Sequence, residues 1–460
     1  MKIYYTLLLL VLLAGISCSK DDSGNPEPNP ENPKTGEEVI NDSIIFFTLN
    51  VKKYWQENGF YKSGYIIIND EDGRLIDYRK IKNDSQYVFK AKKTEVLDKF
   101  TVTRFVNGGS NSLNVNIADS YHNIEKDAVW NLGGVVANSD SGNQANRVLF
   151  NLQVENISGW TDYALSNNKG HLTNAISEDL SSIDFSTISM VENDIFMLTI
   201  HFESQPSKYM LLEGIKDGDL LTVNGNDLLP FDSSIQVNLP NDGYVYTKNL
   251  RADHRDSSTF ITNNGVEIKP RISDNLELLD AFSNYIIAIR TSDPEKDLSY
   301  SYNYSTLSPK NINVPALNSD FMLINSNFHA FEFETNQEYD TKISVWRNDL
   351  NSSLNSINIL TFNSNEQDFS GMPEYPTELF ISYPEFDLET LEYERTSLTK
   401  GWIPYTDFFK NNAVEDDSQD TTSEVFRFTN PALKNKKSSI NDLRMNSFLN
   451  DQEINLLGRK

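Results

Sequence analysis

An all-β fold, organised as multiple antiparallel β-sandwich domains with little helix, is what this sequence predicts, on three observations. Apolar residues alternate with polar ones at period two along most of the chain, as in strands with one buried face. The runs are short and separated by Asp-Gly and Asn-Gly dipeptides, which accept positive φ in tight turns. Beyond a distinctive N-terminal stretch about 420 residues remain, enough for three or so cores at roughly 100–200 residues each.

The first element is a leader. Lys2 supplies a positive start, Ile3 to Leu13 form an apolar run, and Ala14, Gly15 and Ser17 are small residues ahead of Cys18, the single cysteine among 460 residues. The run is shorter than the roughly 20 apolar residues that cross a bilayer, and it has the length of a signal-peptide core. The stretch resembles the lipobox of bacterial lipoproteins, with Gly15 standing where that family usually has a branched aliphatic residue. The resemblance implies that residues 1–17 are a signal peptide and that Cys18 is lipidated, tying the protein to the membrane. The competing reading is an ordinary secretory signal with an incidental thiol, although exported chains seldom keep one unpaired cysteine.

Residues 18–38 read as a Pro-rich linker. Ser19-Lys20-Asp21-Asp22-Ser23 is similar to the acidic export signal of surface-exposed lipoproteins in the Bacteroidota. That resemblance implies an outer-membrane, lipid-anchored protein facing the cell exterior. Pro26, Pro28, Pro30 and Pro33 then fix φ and remove donors, so the run is an extended spacer of about 3.1 Å per residue.

Charge bounds the partners. Forty Lys and Arg against 66 Asp and Glu give a net charge of −26, and this field repels a phosphate backbone, so nucleic acid is not an expected partner. With one cysteine there is no disulfide scaffold, and cohesion falls to core burial, for which 26 phenylalanines are at hand.

The first expected β-sandwich domain covers residues 39–134. Phe47, Leu49 and Val51 alternate with polar neighbours, as do Leu113, Val115 and Ile117. Between them Gly64 to Ile68 turns at Asn69-Asp70-Glu71-Asp72-Gly73 and returns as Arg74 to Tyr78. This hairpin, with Tyr87-Val88-Phe89, is loosely similar to the small carboxypeptidase-regulatory-type sandwiches of exported proteins, and the likeness implies no function. Asn107-Gly108 is expected as a further turn, and Gly133-Gly134 breaks the pattern.

A second β domain is expected over 135–269, with Phe196, Leu198, Ile200 and Phe202 on one face of a strand and turns at Asp217-Gly218, Asn224-Gly225, Asp242-Gly243 and Asn264-Gly265. A third sandwich is expected over 270–412. It contains Tyr300, Tyr302 and Tyr304, Phe331 and Phe333, and an alternating Leu379, Ile381 and Tyr383 after Pro376 that reads as another strand. Residues 413–460 begin with the acidic run Glu415 to Asp420, continue through a possible closing strand at Val425 to Phe428, and end in a weakly periodic stretch from Ser438 to Leu457, with Ser439 and Asp442 placed like a capping box.

Chemistry-bearing patterns are few. Asp70 and Asp72 before Gly73 suggest the middle of a calcium loop, but Ile68 stands where an oxygen ligand belongs, and a tight acidic turn explains them as well. Asp416, Asp417 and Asp420 offer oxygens for a loosely held cation, or simply a solvated linker. His122, His171, His201, His254 and His329 show none of the spacing a zinc site favours. Asp253, His254, Ser257 and Ser258 carry the residue types of a triad in one loop, without the elbow that presents a nucleophilic serine. No catalytic residue, metal site or cofactor is assigned.

Aromatic residues are the remaining lead. Trp55, Trp130, Trp160, Trp346 and Trp402 and 21 tyrosines offer flat faces for sugar rings, and Tyr300, Tyr302 and Tyr304 would line one strand face as a possible glycan contact. The plainer reading is packing across a sheet, where aromatics are ordinary residues. Asp42-Ser43-Ile44 and Asp420-Thr421-Thr422 also resemble the O-glycosylation sites of Bacteroidota exported proteins. The expected function is a non-catalytic binding or adhesion module for an extracellular protein or polysaccharide. Glycan capture for an outer-membrane nutrient-uptake system is one alternative, and a hydrolase with a site assembled from distant residues is another.

Overall fold

The computed structural model divides the chain after Asp42. It describes residues 43–52, 61–92, 98–110, 113–132, 147–167, 170–172, 177–178, 181–192, 195–202, 204–239, 245–254, 259–263, 273–293, 298–306, 308–317, 320–348, 356–365, 372–401, 409 and 421–430. The expected leader with Cys18, the linker, the Gly133-Gly134 break, the turns at 242–243 and 264–265, the serines at 257 and 258, the acidic run and the stretch 438–457 lie outside them.

The fold is all-β, as the periodicity predicts. Seven strands come first: β1 (Ser43–Val51), β2 (Tyr61–Asn69), β3 (Leu75–Lys80), β4 (Ser85–Lys92), β5 (Lys99–Ser110), β6 (Leu113–Glu125) and β7 (Ala128–Leu132). Nine more are β8 (Arg147–Glu155), β9 (Trp160–Asn167), β10 (Gly170–Leu172), β11 (Ser177–Glu178), β12 (Ser182–Val191), β13 (Ile195–Phe202), β14 (Lys208–Glu213), β15 (Leu220–Asn224) and β16 (Leu229–Pro230). Then come β17 (Ser233–Asn238), β18 (Val245–His254), β19 (Thr259–Asn263), β20 (Ser273–Leu278), β21 (Phe282–Asp293), β22 (Leu298–Thr306) and β23 (Ile312–Asn313). The rest are β24 (Met322–Asn325), β25 (Glu332–Glu334), β26 (Thr341–Asn348), β27 (Ser356–Ser364), helix α1 (Thr377–Ser382), β28 (Leu391–Lys400) and β29 (Thr421–Thr429).

Strands from both ends of the sequence share one 12-stranded sheet, in the order β19-β18-β21-β22-β29-β28-β26-β27-β6-β5-β2-β3. It runs across the expected boundaries at 134 and 269, so residues 39–134 and 270–412 do not form separate sheets, and β18 joins the large sheet rather than the second unit. The seam is the parallel pair β27–β6, with Ile359 opposite Ile117 and Asn358 opposite Asn116. Late in the chain, β29 fills the gap between β22 and β28 as the expected closing strand.

Burial on both faces explains this architecture. Tyr65 and Ile67 of β2 enter one core while Ile66 and Ile68 enter another. Three consecutive isoleucines cannot all face one side of a strand, so a continuous apolar run marks a strand covered twice. The sheet β4-β1-β7 covers one side, with Phe47, Leu49 and Phe89 meeting Ile66, Val102 and Ile117. On the other side, Val237 of β17, Leu276 of β20 and Ile312 of β23 meet Ile287, Tyr300 and Trp346. Each fully buried side chain of this size stabilises by about 1.5–3 kcal/mol relative to exposure.

A smaller sandwich occupies the middle of the chain. Five strands, β10-β9-β13-β14-β16, face four, β11-β12-β8-β15, over a core that includes Phe150, Leu152, Val154, Phe185, Phe196, Leu198 and Ile200. Strand β13 also buries its other face, because Met197 belongs to the large core that holds Trp346.

Two local expectations are corrected. Asn107-Gly108 lies inside β5 rather than in a turn, because the Asn107 amide is committed to the next strand: its Nδ2 donates to Asn116 Oδ1 at 2.9 Å. Leu379, Ile381 and Tyr383 do not alternate on a strand, since 377–382 is a helix that buries Leu379 and leaves Ile381 76% exposed. Pro376 precedes its first turn, which carries Glu378. A fixed φ and an acidic residue both suit a helix start.

Candidate functional site

The expected aromatic platform is inside the protein. Tyr300 and Tyr304 are buried and Tyr302 packs partly buried against the same core. Tyr300 lies 4.9 Å from the Phe426 ring, and Tyr302 lies 6.1 Å from Tyr304. Strand β22 is internal to the large sheet, so aromatics at period two fill the core there. Burial pushes the Tyr300 hydroxyl well above its ordinary pKa. Trp130 and Trp346 are buried as well, Trp160 stands 5.8 Å from Tyr163, and Trp55 and Trp402 lie outside the described residues.

The acidic turn holds its own cation. Arg74 Nε meets Asp70 Oδ2 and Arg74 Nη2 meets Asp72 Oδ2, both at 2.7 Å, and Asp70 Oδ1 accepts the Arg74 amide at 2.8 Å. A guanidinium thus stands where the calcium reading would place an ion. Among the described residues no group of three His, Cys, Asp or Glu is placed to hold a metal.

The histidines divide by setting. His122 is deep in the protein beside Thr101 and 5.3 Å from Phe362, and burial, reinforced by the Lys342 charge, lowers its pKa to about 3. His329 is half exposed, with Nε2 3.7 Å from Glu389 Oε1. His201 Nδ1 lies 2.8 Å from Ser207 Oγ, which donates to Glu277 Oε1 at 2.6 Å. The serine proton points at the carboxylate, so His201 donates to the serine oxygen. In a catalytic triad the histidine stands between serine and acid and takes the serine proton; here the serine stands in the middle. The side chains of His171 and His254 lie outside the described set.

The most built-up polar surface lies where the β2–β3 hairpin meets the segment before β28. Gly73, at φ +85°, opens the crossing: a Cβ there would sit 2.3 Å from Met372 O. Glu374 N donates to Gly73 O at 2.8 Å, Asn69 Nδ2 donates to Gly73 O and to Glu374 O at 2.9 Å each, and Leu75 N donates to Glu374 Oε2 at 3.1 Å. These bonds hold residues 372–376 across the turn and deliver α1 to the sheet.

On α1, the exposed Glu378 carboxylate accepts from Tyr65 Oη at 3.1 Å and from Tyr78 Oη at 3.2 Å. The Tyr383 hydroxyl is hydrogen-bonded to Ser63 Oγ. Underneath, the Tyr383 ring lies 6.4 Å from Tyr65 and 5.1 Å from Phe105, and Phe386 lies 5.1 Å from Phe105. Burial, together with Glu378, raises the Tyr65 pKa, and the Glu378 hydrogen bond raises that of Tyr78, so both phenols stay protonated donors. The result is a carboxylate fixed in orientation beside the exposed Ile381. Sequence reading missed it because its two halves are about 300 residues apart; the only local trace was Pro376 followed by an acidic residue.

A second ordered surface is the outer face of β4-β1-β7. Gln86 Nε2 donates to Asn50 Oδ1 at 2.8 Å and Asn50 Nδ2 donates to Asn131 Oδ1 at 2.9 Å, making a row of amides across three strands. The next row is Val88, Thr48 and Val129, of which Val88 is 40% exposed.

A scan against protein-family models finds no match, and no curated protein matches the chain. Among solved structures, the chain is weakly similar to the Bacillus anthracis TIE protein, at 9% identity and a TM-score of 0.12, over 68% of this chain and 65% of that one. It is also weakly similar to a Ca2+-stabilized adhesin by which an Antarctic bacterium reaches out and binds ice, at 7% identity and a TM-score of 0.11, over 80% and 89%. Scores this low carry no argument about fold or ligand.

Proposed function

We propose that the chain is a non-catalytic binding or adhesion module for an extracellular macromolecule, held at the outer membrane by lipid on Cys18. The observation that carries this reading is the Glu378–Ile381 surface. There an exposed carboxylate and an exposed aliphatic side chain sit on a helix that, through Glu378 and the flanking Glu374 and Tyr383, is fixed to the β2–β3 hairpin by six hydrogen bonds. Fixing donors and acceptors before contact lowers the ordering cost of binding. The fixed negative charge in a protein of net charge −26 favours a cationic or hydroxyl-rich partner and disfavours polyanions.

Binding of the purified protein to an array of extracellular glycans and matrix proteins tests this, repeated with Glu378→Gln and Ile381→Ala. A wild-type signal that falls at least about tenfold in both variants, a loss of roughly 1.4 kcal/mol or more, supports the reading. Unchanged binding in both removes this surface from the function. The mass of the mature N-terminus tests the anchor, because an unmodified Cys18 would refute it.

The glycan-capture reading has its own observation, the amide row Gln86–Asn50–Asn131 beside the row Val88–Thr48–Val129. Fixed amides next to two valines flanking a threonine match the hydroxyl edge and ring face of an extended polysaccharide. Loss of glycan signal in Asn50→Asp alone would favour this face over Glu378.

A further inference from the structure

The two-stranded sheet β24–β25 presents an unusual outer face. Leu323 and Phe333 point into the core, while Met322 is 53% and Ile324 45% exposed. Opposite Met322 stands Glu334, and opposite Asn325 stands Glu332, both exposed. Residues 320–340 carry Asp320, Glu332, Glu334, Glu338 and Asp340 and no Lys or Arg. The face is therefore apolar along one strand and acidic along the other.

The described chain leaves the large sheet beside this face. Phe428 of β29 stacks on Phe321 at 4.3 Å, immediately before Met322, and Phe321 stacks on Phe333 at 5.1 Å. Asn430 is tied to the same corner: its amide donates to Glu394 O and its Nδ2 to Tyr393 O, each at 2.8 Å, and the Tyr393 ring lies 5.4 Å from Phe331. The tail beyond Asn430 has the opposite character to the rest of the protein. Residues 431–460 contain Lys434, Lys436, Lys437, Arg444, Arg459 and Lys460 against Asp442, Asp451 and Glu453. Leu433 and Ile440 flank the first basic group. At roughly 3.3 Å per residue, three or four residues beyond Asn430 reach about 10–13 Å, the scale of the neighbouring strand pair.

We propose that the segment beginning at Pro431 docks in cis on the β24–β25 face, with Leu433 against Met322 and Ile324 and Lys434, Lys436 and Lys437 facing Glu332 and Glu334. The contact covers an exposed two-stranded edge, which is otherwise a template for pairing with another chain. It also places the first basic group of the tail on the acidic strand. This docking is independent of the Glu378 surface.

Hydrogen exchange on the full chain tests it. In the wild type, the amides of 322–325 and 332–334 exchange at least about tenfold more slowly than in the charge-reversed variant Lys434→Glu, Lys436→Glu, Lys437→Glu, and ~1 M salt removes most of the difference. Equal rates in both proteins overturn the proposal. Protection that appears only as protein concentration rises also overturns it, because the segment would then sit on a second copy. Met322→Asp with Ile324→Asp provides a second arm read by trypsin: cleavage after Lys434, Lys436 and Lys437 accelerates if the apolar face holds the segment, and unchanged cleavage counts against it. Exchange in β8, whose buried residues belong to the core of the middle sandwich and not to the one holding Phe333, reports whether either variant disturbs folding.

Discussion

The middle sandwich and the 12-stranded sheet solve burial differently. In the sandwich, Phe150, Leu152 and Val154 of β8 alternate with exposed or half-buried Leu149, Asn151 and Gln153, and its core draws only on residues 148–228. In the large sheet, β26, β27 and β28 are buried almost end to end, and the cores on its two faces join residues from 46 to 428. One region closes on local contacts, and the other cannot form until its distant halves meet. Non-local pairing of that kind carries a larger loop-closure cost before contacts compensate it.

The difference can be sharpened by removing one core at a time. Trp346 is fully buried where β26 meets both Phe331 and Phe362, at 4.8 and 5.4 Å. Trp346→Ala is expected to cost about 3–5 kcal/mol in denaturant unfolding and to speed exchange through β5, β6, β26 and β27 together. Leu152→Ala, at about 2–5 kcal/mol, should speed exchange in β8, β9, β12 and β13 and leave β6 and β27 near wild type. Equal spreading of both effects over the whole chain would erase the distinction.

Acid should act on the large sheet first. His122 lies on β6 beside β27, and its folded pKa near 3 is far below the ordinary 6.5. Between those values the unfolded chain binds a proton that the folded chain does not, so stability rises with pH across this window and is lost as pH falls from 6.5 toward 3. The slope is up to about 1.4 kcal/mol per pH unit, or roughly 2 kcal/mol between pH 6.5 and 5. His122→Gln should flatten that part of the stability curve, and an unchanged slope would show that other groups set it.

Smaller effects probe the seam and the crossing. Asn116 sits between Asn107 and Asn358, whose own Nδ2 donates to Glu385 O at 2.7 Å. Asn116→Ala removes the partner of Asn107 Nδ2 and of Asn358 Oδ1 and should cost about 1–3 kcal/mol, read as a lower denaturation midpoint. Gly73→Ala places a Cβ against Met372 O at positive φ and should cost about 1–2 kcal/mol while loosening α1, read as faster exchange at 374–383.

This contrast also explains what the sequence revealed. Alternation at Phe47, Leu49 and Val51 and the Asp72-Gly73 turn identified strands and a hairpin, because period and positive φ are local properties. Isoleucines 66 to 68 carried the sign of double burial, but which layers cover them depends on residues such as Phe89 and Ile287 that no local pattern connects. Tyr300, Tyr302 and Tyr304 have the same spacing in a core as on a platform, so period two could not separate the readings. The Glu378 surface needed Tyr65 and Tyr78 to meet a helix 300 residues away. In β13 the alternation shows only one of two buried faces: Phe196, Leu198 and Ile200 face the sandwich, while Met197 on the opposite face joins the large core.

The most direct test of one sheet built from both ends of the chain is native-state hydrogen exchange across the β6–β27 pair under increasing denaturant. The amides of residues 114–121 and 356–363 are predicted to open in a single cooperative step with one free energy, distinct from the step that opens β8 and β12. Opening of β27 while β6 stays protected would contradict the shared sheet and restore two separate domains.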